Sequence, residues 1–174
     1  MTALNPVMRL GDQLEEVFEA HSVTGVDRKE LVRQALKDVG IADPDRAMRS
    51  YPHEFSGGMR QRVVIAMALL LSPQLVIADE PTTALDVTIQ QQILTLVSEQ
   101  RRQRNMSMLW ITHDLGVVAN LVDRVVVMYA GRIVEQGTTR TLLRAPRHPY
   151  TRALLKSLAH GSVAKGTRLE TIPG

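Results

Sequence analysis

Three groups of residues in this chain have the types and spacing to act on a phosphate. Ser56-Gly57-Gly58 opens an apolar helix, so a hydroxyl, unhindered backbone N–H groups and the positive end of a helix dipole converge at one point. That point suits an anion. Asp79 and Glu80 directly follow Leu75-Val76-Ile77-Ala78, a continuous apolar run of the kind expected for a strand buried on both faces. Two carboxylates thus sit side by side at the carboxyl end of that run. His113 follows a second run, Met108-Leu109-Trp110-Ile111. Taken singly, each group has an ordinary explanation as a helix cap, a solvated loop or a structural histidine.

The elements that must position these groups are legible from periodicity and punctuation. Met1 to Pro6 reads as a loop, and Leu10, Leu14, Val17 and Phe18 recur at helical spacing. Asp27 with Glu30 makes a capping-box-like start for a second helix with the stripe Leu31, Val32, Ala35, Leu36 and Val39, and Gly40 marks its stop. Asp43-Pro44-Asp45 starts a short helical turn, and Tyr51 to Phe55 leads into Ser56. The helix after Gly58 is apolar nearly all round from Val63 to Leu71, which predicts burial on every side. Ser72-Pro73 breaks it ahead of the first strand.

Asp86 is a good N-cap for a helix carrying Ile89, Ile93, Leu96 and Val97, with Asn105 at its end. Asp114 or Thr112 could cap a short helix through Val118 to Leu121. Arg124 to Met128, a turn at Tyr129 to Arg132, and Ile133-Val134 predict a hairpin. Helical segments follow at Thr141 to Arg144 and from Pro149, with Ala153, Leu154, Leu155 and Leu158 behind it; His160 to Gly174 is polar. This is an α/β pattern with at least two parallel strands, and the acidic pair and His113 fall at carboxyl ends of strands, where open α/β sheets bind ligands.

About thirty consecutive residues, Ser56 to Asp86, resemble the signature motif and Walker B of the ABC-transporter ATPase family, with Pro81-Thr82-Thr83-Ala84-Leu85-Asp86 in the place of its D-loop. His113, in Ile-Thr-His-Asp, resembles that family's switch histidine. Met59 stands where many members carry glutamine, which fits the peptide-transporting branch. Arg147-His148-Pro149-Tyr150-Thr151 with Leu154-Leu155 is similar to the C-terminal extension of oligopeptide, dipeptide and nickel importer ATPases. The resemblance implies a partial P-loop NTPase fold: an ATPase part over 1–138, with a helical subdomain at about 7–71 and core elements at about 72–138, then the extension at 139–174.

It also implies roles. Two ATPase domains would face head to tail, with Ser56, Gly57, Gly58 and Gln61 toward an ATP bound by the partner. Asp79 would help hold Mg²⁺, Glu80 would polarise the attacking water, His113 would contact the γ-phosphate and Asp86 would carry signals across the interface. The implied partners are a second ABC ATPase subunit and membrane permease subunits, at the cytoplasmic face of the membrane. An ABC ATPase without membrane domains and a non-enzymatic complementing fragment are the alternatives.

No G-x-x-x-x-G-K-[ST] stretch and no Gly-Lys dipeptide occurs in the sequence. Met1 to Pro6 resembles the family segment just after the Q-loop glutamine. The expectation is therefore a C-terminal part that cannot bind ATP tightly alone and whose sheet has uncovered apolar faces. Composition is compatible: 174 residues with 44% hydrophobic content suffice for a sizeable core, and no run reaches the roughly 18 apolar residues of a membrane span. Cys is absent, which excludes disulfides and thiolate metal sites, and the N-terminus does not read as a signal peptide. The net charge of +3 comes from scattered cations, not interleaved with aromatics, which argues against nucleic acid. The cluster Arg101-Arg102-Gln103-Arg104 is expected to complement a helix dipole and face water. His21, His53 and His160 are expected as surface residues.

Overall fold

The computed structural model describes residues 3–83 and 85–159. Expectations placed on Met1, Thr2, Ala84, the side chain of Leu158 and His160 to Gly174 lie outside the described residues. The chain divides into two compact units, Met1–Ile111 and Thr112–Gly174.

The first unit begins with a helical layer: α1 (Leu10–Ala20), α2 (Arg28–Asp38), α3 (Pro44–Arg49), a 3-10 turn (Pro52–Glu54) and α4 (Gly57–Leu69). Their starts are set by short polar side chains that accept from otherwise unpaired N–H groups. Asp27 accepts from Glu30, Asp43 from Arg46 and Ser56 from Met59. The apolar stripes meet in one core, with Leu10, Leu14, Phe18, Val32, Leu36, Ala47 and Val63 all at 0% exposure. Full burial of each such Leu, Val or Phe contributes roughly 1.5–3 kcal/mol. Buried Gln13 ties the preceding loop to α1: its Oε1 accepts from Asn5 N at 2.8 Å, and its Nε2 donates to Asn5 O at 3.0 Å and Met8 O at 2.9 Å.

After α4 come β1 (Leu75–Asp79), α5 (Val87–Arg104) and β2 (Ser107–Ile111). Asp86 caps α5 by accepting from Ile89 N at 2.9 Å, and Asn105 ends it in the left-handed region at φ 49°. β1 and β2 pair in parallel, Ile77 opposite Leu109 and Ala78 opposite Trp110. A strand–helix–strand unit of this kind is the expected α/β arrangement.

Three sequence expectations need correction here. β1 is not buried on both faces: Leu75 and Ile77 are 55% and 63% exposed, and beside them Leu109 and Ile111 are 52% and 44% exposed. β1 and β2 form a two-stranded sheet, and the face opposite these residues, with Val76, Ala78, Met108 and Trp110, is half-buried. α4 is likewise not buried all round. Gly58, Gln61, Val63, Ala66 and Leu69 are buried, while Val64, Ile65 and Met67 are half-buried and Ala68 is exposed, because α1, α2 and α5 pack on one side only. Finally, Arg104 does not simply face water. Its Nη2 meets Asp38 Oδ2 at 2.8 Å, its Nη1 donates to Leu69 O at 3.3 Å, and its Nε donates to Gln100 Oε1 at 2.9 Å.

The second unit contains α6 (Leu115–Leu121), β3 (Arg124–Tyr129), β4 (Arg132–Thr138), α7 (Thr139–Arg144) and α8 (Pro149–Ala159). Asp114 caps α6, accepting from Gly116 N at 2.8 Å, while Thr112 Oγ1 accepts from Asp114 N at 3.0 Å. β3 and β4 form the expected antiparallel hairpin. Its turn, Ala130-Gly131, has φ of 46° and 75°, the paired positive values that suit two-residue connections between twisted strands. Leu115, Val118, Val125, Val127 and Leu142 make its core.

Candidate functional site

Ser56 sits in extended backbone (φ −62°, ψ 163°), and its Oγ accepts from Met59 N at 3.3 Å. This leaves the hydroxyl proton of Ser56 free to donate elsewhere, at the end of a 13-residue helix whose dipole favours an anion. The two glycines that follow serve different ends. A Cβ on Gly57 would meet nothing nearer than Leu85 Cδ2 at 3.7 Å, so its surface is open. A Cβ on Gly58 would lie 2.6 Å from Ile89 Cγ2, so this residue must be glycine for α4 to approach the start of α5. Gln61 is buried one turn further along α4, and Met59 is 40% exposed beside the turn.

Asp79 and Glu80 stand together at the C-terminal end of β1. Asp79 is exposed and Glu80 half-buried. Glu80 continues the ladder, donating its N–H to Ile111 O at 2.9 Å, yet its φ is 46°. A non-glycine residue in the left-handed region carries strain of order 1–3 kcal/mol, and such residues concentrate at active sites. The bend turns the chain out of the strand: Thr83 N donates to Glu80 O at 3.2 Å and Leu85 N to Thr82 O at 3.2 Å. Thr83 Oγ1 donates to Glu80 Oε2 at 2.8 Å. Thr82 is buried and anchors the turn, while Asp86 is exposed at the N-terminus of α5.

The structure thus brings Ser56-Gly57-Gly58 against Leu85 and Ile89, and Asp79 and Glu80 onto one strand end. His113 belongs to the second unit, where it is exposed two residues after Ile111. The sequence placed Thr83 and Leu85 in the D-loop-like run and Ile89 in a helix stripe without giving them contacts; here Leu85 and Ile89 receive the signature-like turn, and Thr83 Oγ1 donates to Glu80 Oε2. A pattern of local spacing does not signal them, because each acts through a partner brought near by folding.

As to a metal, no cluster of three or more His, Asp or Glu among the described residues could enclose an ion. One exposed carboxylate at a strand end is nevertheless the donor set that suits Mg²⁺, which takes one or two carboxylates and completes its six oxygens from phosphate and water.

In the second unit Glu135 of β4 accepts from Arg147 N at 2.7 Å and from His148 N at 3.1 Å. The Arg147 N–H is the leading reason that the Glu135 carboxyl is held below its ordinary range. This clip fixes the segment entering α8, and His148 Nδ1 accepts from Tyr150 N at 3.1 Å. Tyr150 packs on Tyr129 with ring centroids 4.6 Å apart.

A signature-like turn opening α4, an acidic pair ending a parallel strand and a capped helix beyond it are arranged as in part of an ABC-type ATPase fold. Residues 2–83 match the ABC transporter family. Within that family, residues 134–174 match the C-terminal region of oligopeptide/dipeptide transporters. The chain is 53% identical to an oligopeptide transport ATP-binding protein of Bacillus subtilis over 175 residues, covering 100% of this chain and 49% of that protein. It is 51% identical to a dipeptide transport ATP-binding protein of Haemophilus influenzae, covering 100% of this chain and 53% of that protein. A dipeptide transport ATP-binding protein of Bacillus subtilis is 52% identical over 176 residues, with 100% and 52% covered. The chain spans about half the length of the curated relatives it matches.

Proposed function

We propose that this chain forms part of the ATP-binding subunit of a peptide-type ABC importer. It would act with a second ATPase subunit and with permease subunits, held by them at the cytoplasmic face of the membrane. The observation that carries this reading is the Ser56-Gly57-Gly58 turn, with a free hydroxyl proton, an uncovered Gly57 and a helix N-terminus, presented by a chain whose residues 134–174 match the peptide-transporter C-terminal region. No helix of the described residues is long and apolar enough to cross a membrane. The reading divides the chain into an ATPase part, 1–138, and an extension, 139–174.

In the reaction, Ser56, Gly57 and Gly58 would face the γ-phosphate of an ATP gripped by the partner subunit, while Gln61, buried one turn further along α4, would act only by supporting that turn. Asp79 is the residue that would hold Mg²⁺, whose contribution is to neutralise phosphate charge. Glu80 would take a proton from water as the water oxygen bonds to the γ-phosphorus. The bond to the bridging oxygen breaks with its electrons leaving on ADP. His113 would donate to a γ-phosphate oxygen, and Asp86 would couple the two subunits. Positioning and charge neutralisation supply most of the catalysis in such transfers.

The residues present contain no Gly-x-x-x-x-Gly-Lys loop, so the chain on its own is expected to bind Mg-ATP weakly and not to turn it over. Titration calorimetry on the isolated chain tests this, and micromolar affinity would refute it. In the assembled transporter, Glu80→Gln should lower hydrolysis on the order of 10²–10⁴-fold with ATP binding retained. Undiminished turnover would remove Glu80 from its role.

A further inference from the structure

Gly58 differs from Gly57 in what stands over it. It lies in the first turn of α4 with helical backbone that alanine could also adopt, yet a Cβ there would come within 2.6 Å of Ile89 Cγ2. Past that methyl the spacing is ordinary: the same Cβ would lie 3.6 Å from Ile89 Cδ1 and 3.8 Å from Ile89 Cβ. One branch methyl of Ile89 therefore fills the hollow left by the missing side chain of Gly58. Ile89 is itself held. Branching at Cβ restricts its χ1 in a helix, and its N–H donates to Asp86 Oδ1 at 2.9 Å in the first turn of α5. Within the first unit, the start of α5 is thus a seat for the start of α4.

We propose that Ile89 is a positioning residue for the phosphate-facing turn. Its Cγ2, lodged at Gly58, sets the distance between the N-terminus of α4 and α5, and hence where the Ser56 hydroxyl and the Gly57 surface are presented. This rests on the reading of Ser56-Gly57-Gly58 as facing the γ-phosphate. A methyl packed directly on bare backbone has little room to shift, because interiors are packed as densely as organic crystals. The requirement is for shape and not for volume: valine keeps a methyl at Cγ2, whereas leucine has the bulk of isoleucine without it. It is also reciprocal. With alanine at both positions the two Cβ atoms would meet at about the 3.8 Å of an ordinary contact, so the seat would be rebuilt with the methyl moved to the other helix.

The test is steady-state hydrolysis and Mg-ATP affinity of the assembled transporter carrying Ile89→Val, Ile89→Leu, Ile89→Ala, Gly58→Ala, the double change Gly58→Ala with Ile89→Ala, Ile93→Val or Gly57→Trp. Displacing the turn predicts a fall in kcat on the order of tenfold for Ile89→Leu, Ile89→Ala and Gly58→Ala, with ATP affinity near that of the parent, since another region grips the nucleotide. Ile89→Val should keep most of the rate, and the double change should be faster than Gly58→Ala alone. Ile93→Val removes the same methylene from a fully buried position of the same helix and should leave kcat unchanged. Parental kcat in Ile89→Leu or Ile89→Ala, an Ile89→Val enzyme as slow as Ile89→Leu, or a double variant no faster than Gly58→Ala would overturn the assignment. Equal slowing by Ile93→Val, or a loss of ATP affinity matching the loss of kcat, would show general loosening of α5 and also count against it. Full activity in Gly57→Trp would instead overturn the reading on which it rests, because a bulky side chain would then stand where the phosphate is placed.

Discussion

The helical layer of the first unit and the strand pair that follows it are built from equally apolar residues but reach opposite ends. Phe18, Leu14 and Leu36 have no exposed surface, whereas Ile77 and Leu109, in the middle of their strands, are more than half exposed. The difference lies in what each element can do for itself. Amphipathic helices joined by short loops fold onto one another and close a core within about sixty residues of chain. A parallel strand pair offers two faces, and here one is half-buried and the other exposed. The helical layer therefore supplies stability, and the strand pair supplies a site whose apolar flank lies open.

Substitutions can sharpen or break that contrast. The largest effect is expected for Phe18→Ala, which should cost about 3–5 kcal/mol in chemical denaturation followed by circular dichroism, since the ring is fully buried. A loss below 1 kcal/mol would mean that the helical core is not the stabilising part. Next, Gly58→Ala forces a methyl onto Ile89 and should destabilise by about 1–3 kcal/mol, whereas Gly57→Ala meets only ordinary contact at 3.7 Å and should stay within about 0.5 kcal/mol. Equal penalties at the two positions would contradict the separate purposes assigned to them.

The Glu135 clip gives a smaller, pH-dependent effect. Its carboxyl has a lowered affinity for protons when folded, so its contribution is present above the ordinary carboxylate range and is lost as pH falls through its depressed folded value. Amide exchange at Arg147 and His148 should therefore lose protection on acidification, and in Glu135→Gln the protection should be weaker and less dependent on pH. The least effect is expected on the open sheet face, where Ile77→Thr should leave unfolding free energy within about 0.5 kcal/mol while improving solubility.

Much of this was legible in the sequence wherever the cause is local. The caps at Asp27, Asp43, Ser56, Asp86 and Asp114, the stop at Asn105 and the Ala130-Gly131 turn each depend on a few neighbouring residues. Burial of β1 was not legible, because an apolar run reports what a strand prefers and not what lies across its faces. Arg104 was misjudged for a related reason: its partners Asp38 and Leu69 are 66 and 35 residues away in sequence. At the site, the signature-like turn and the acidic pair could be read from residue type. Thr83 and Ile89 could not, since their contribution lies in what they touch.

The Arg104 contacts carry one more implication, for how the helical layer comes apart. A single guanidinium reaches the last carbonyl-bearing turn of α4 and the carboxylate closing α2 while sitting at the end of α5, and Gln100 Nε2 donates to Asp38 O at 3.2 Å beside it. Helix ends ordinarily fray independently. Here the three C-termini are knotted at one residue, so loosening any of them releases the others, and a protease that nicks after α5 should find α2 and α4 opened by the same event.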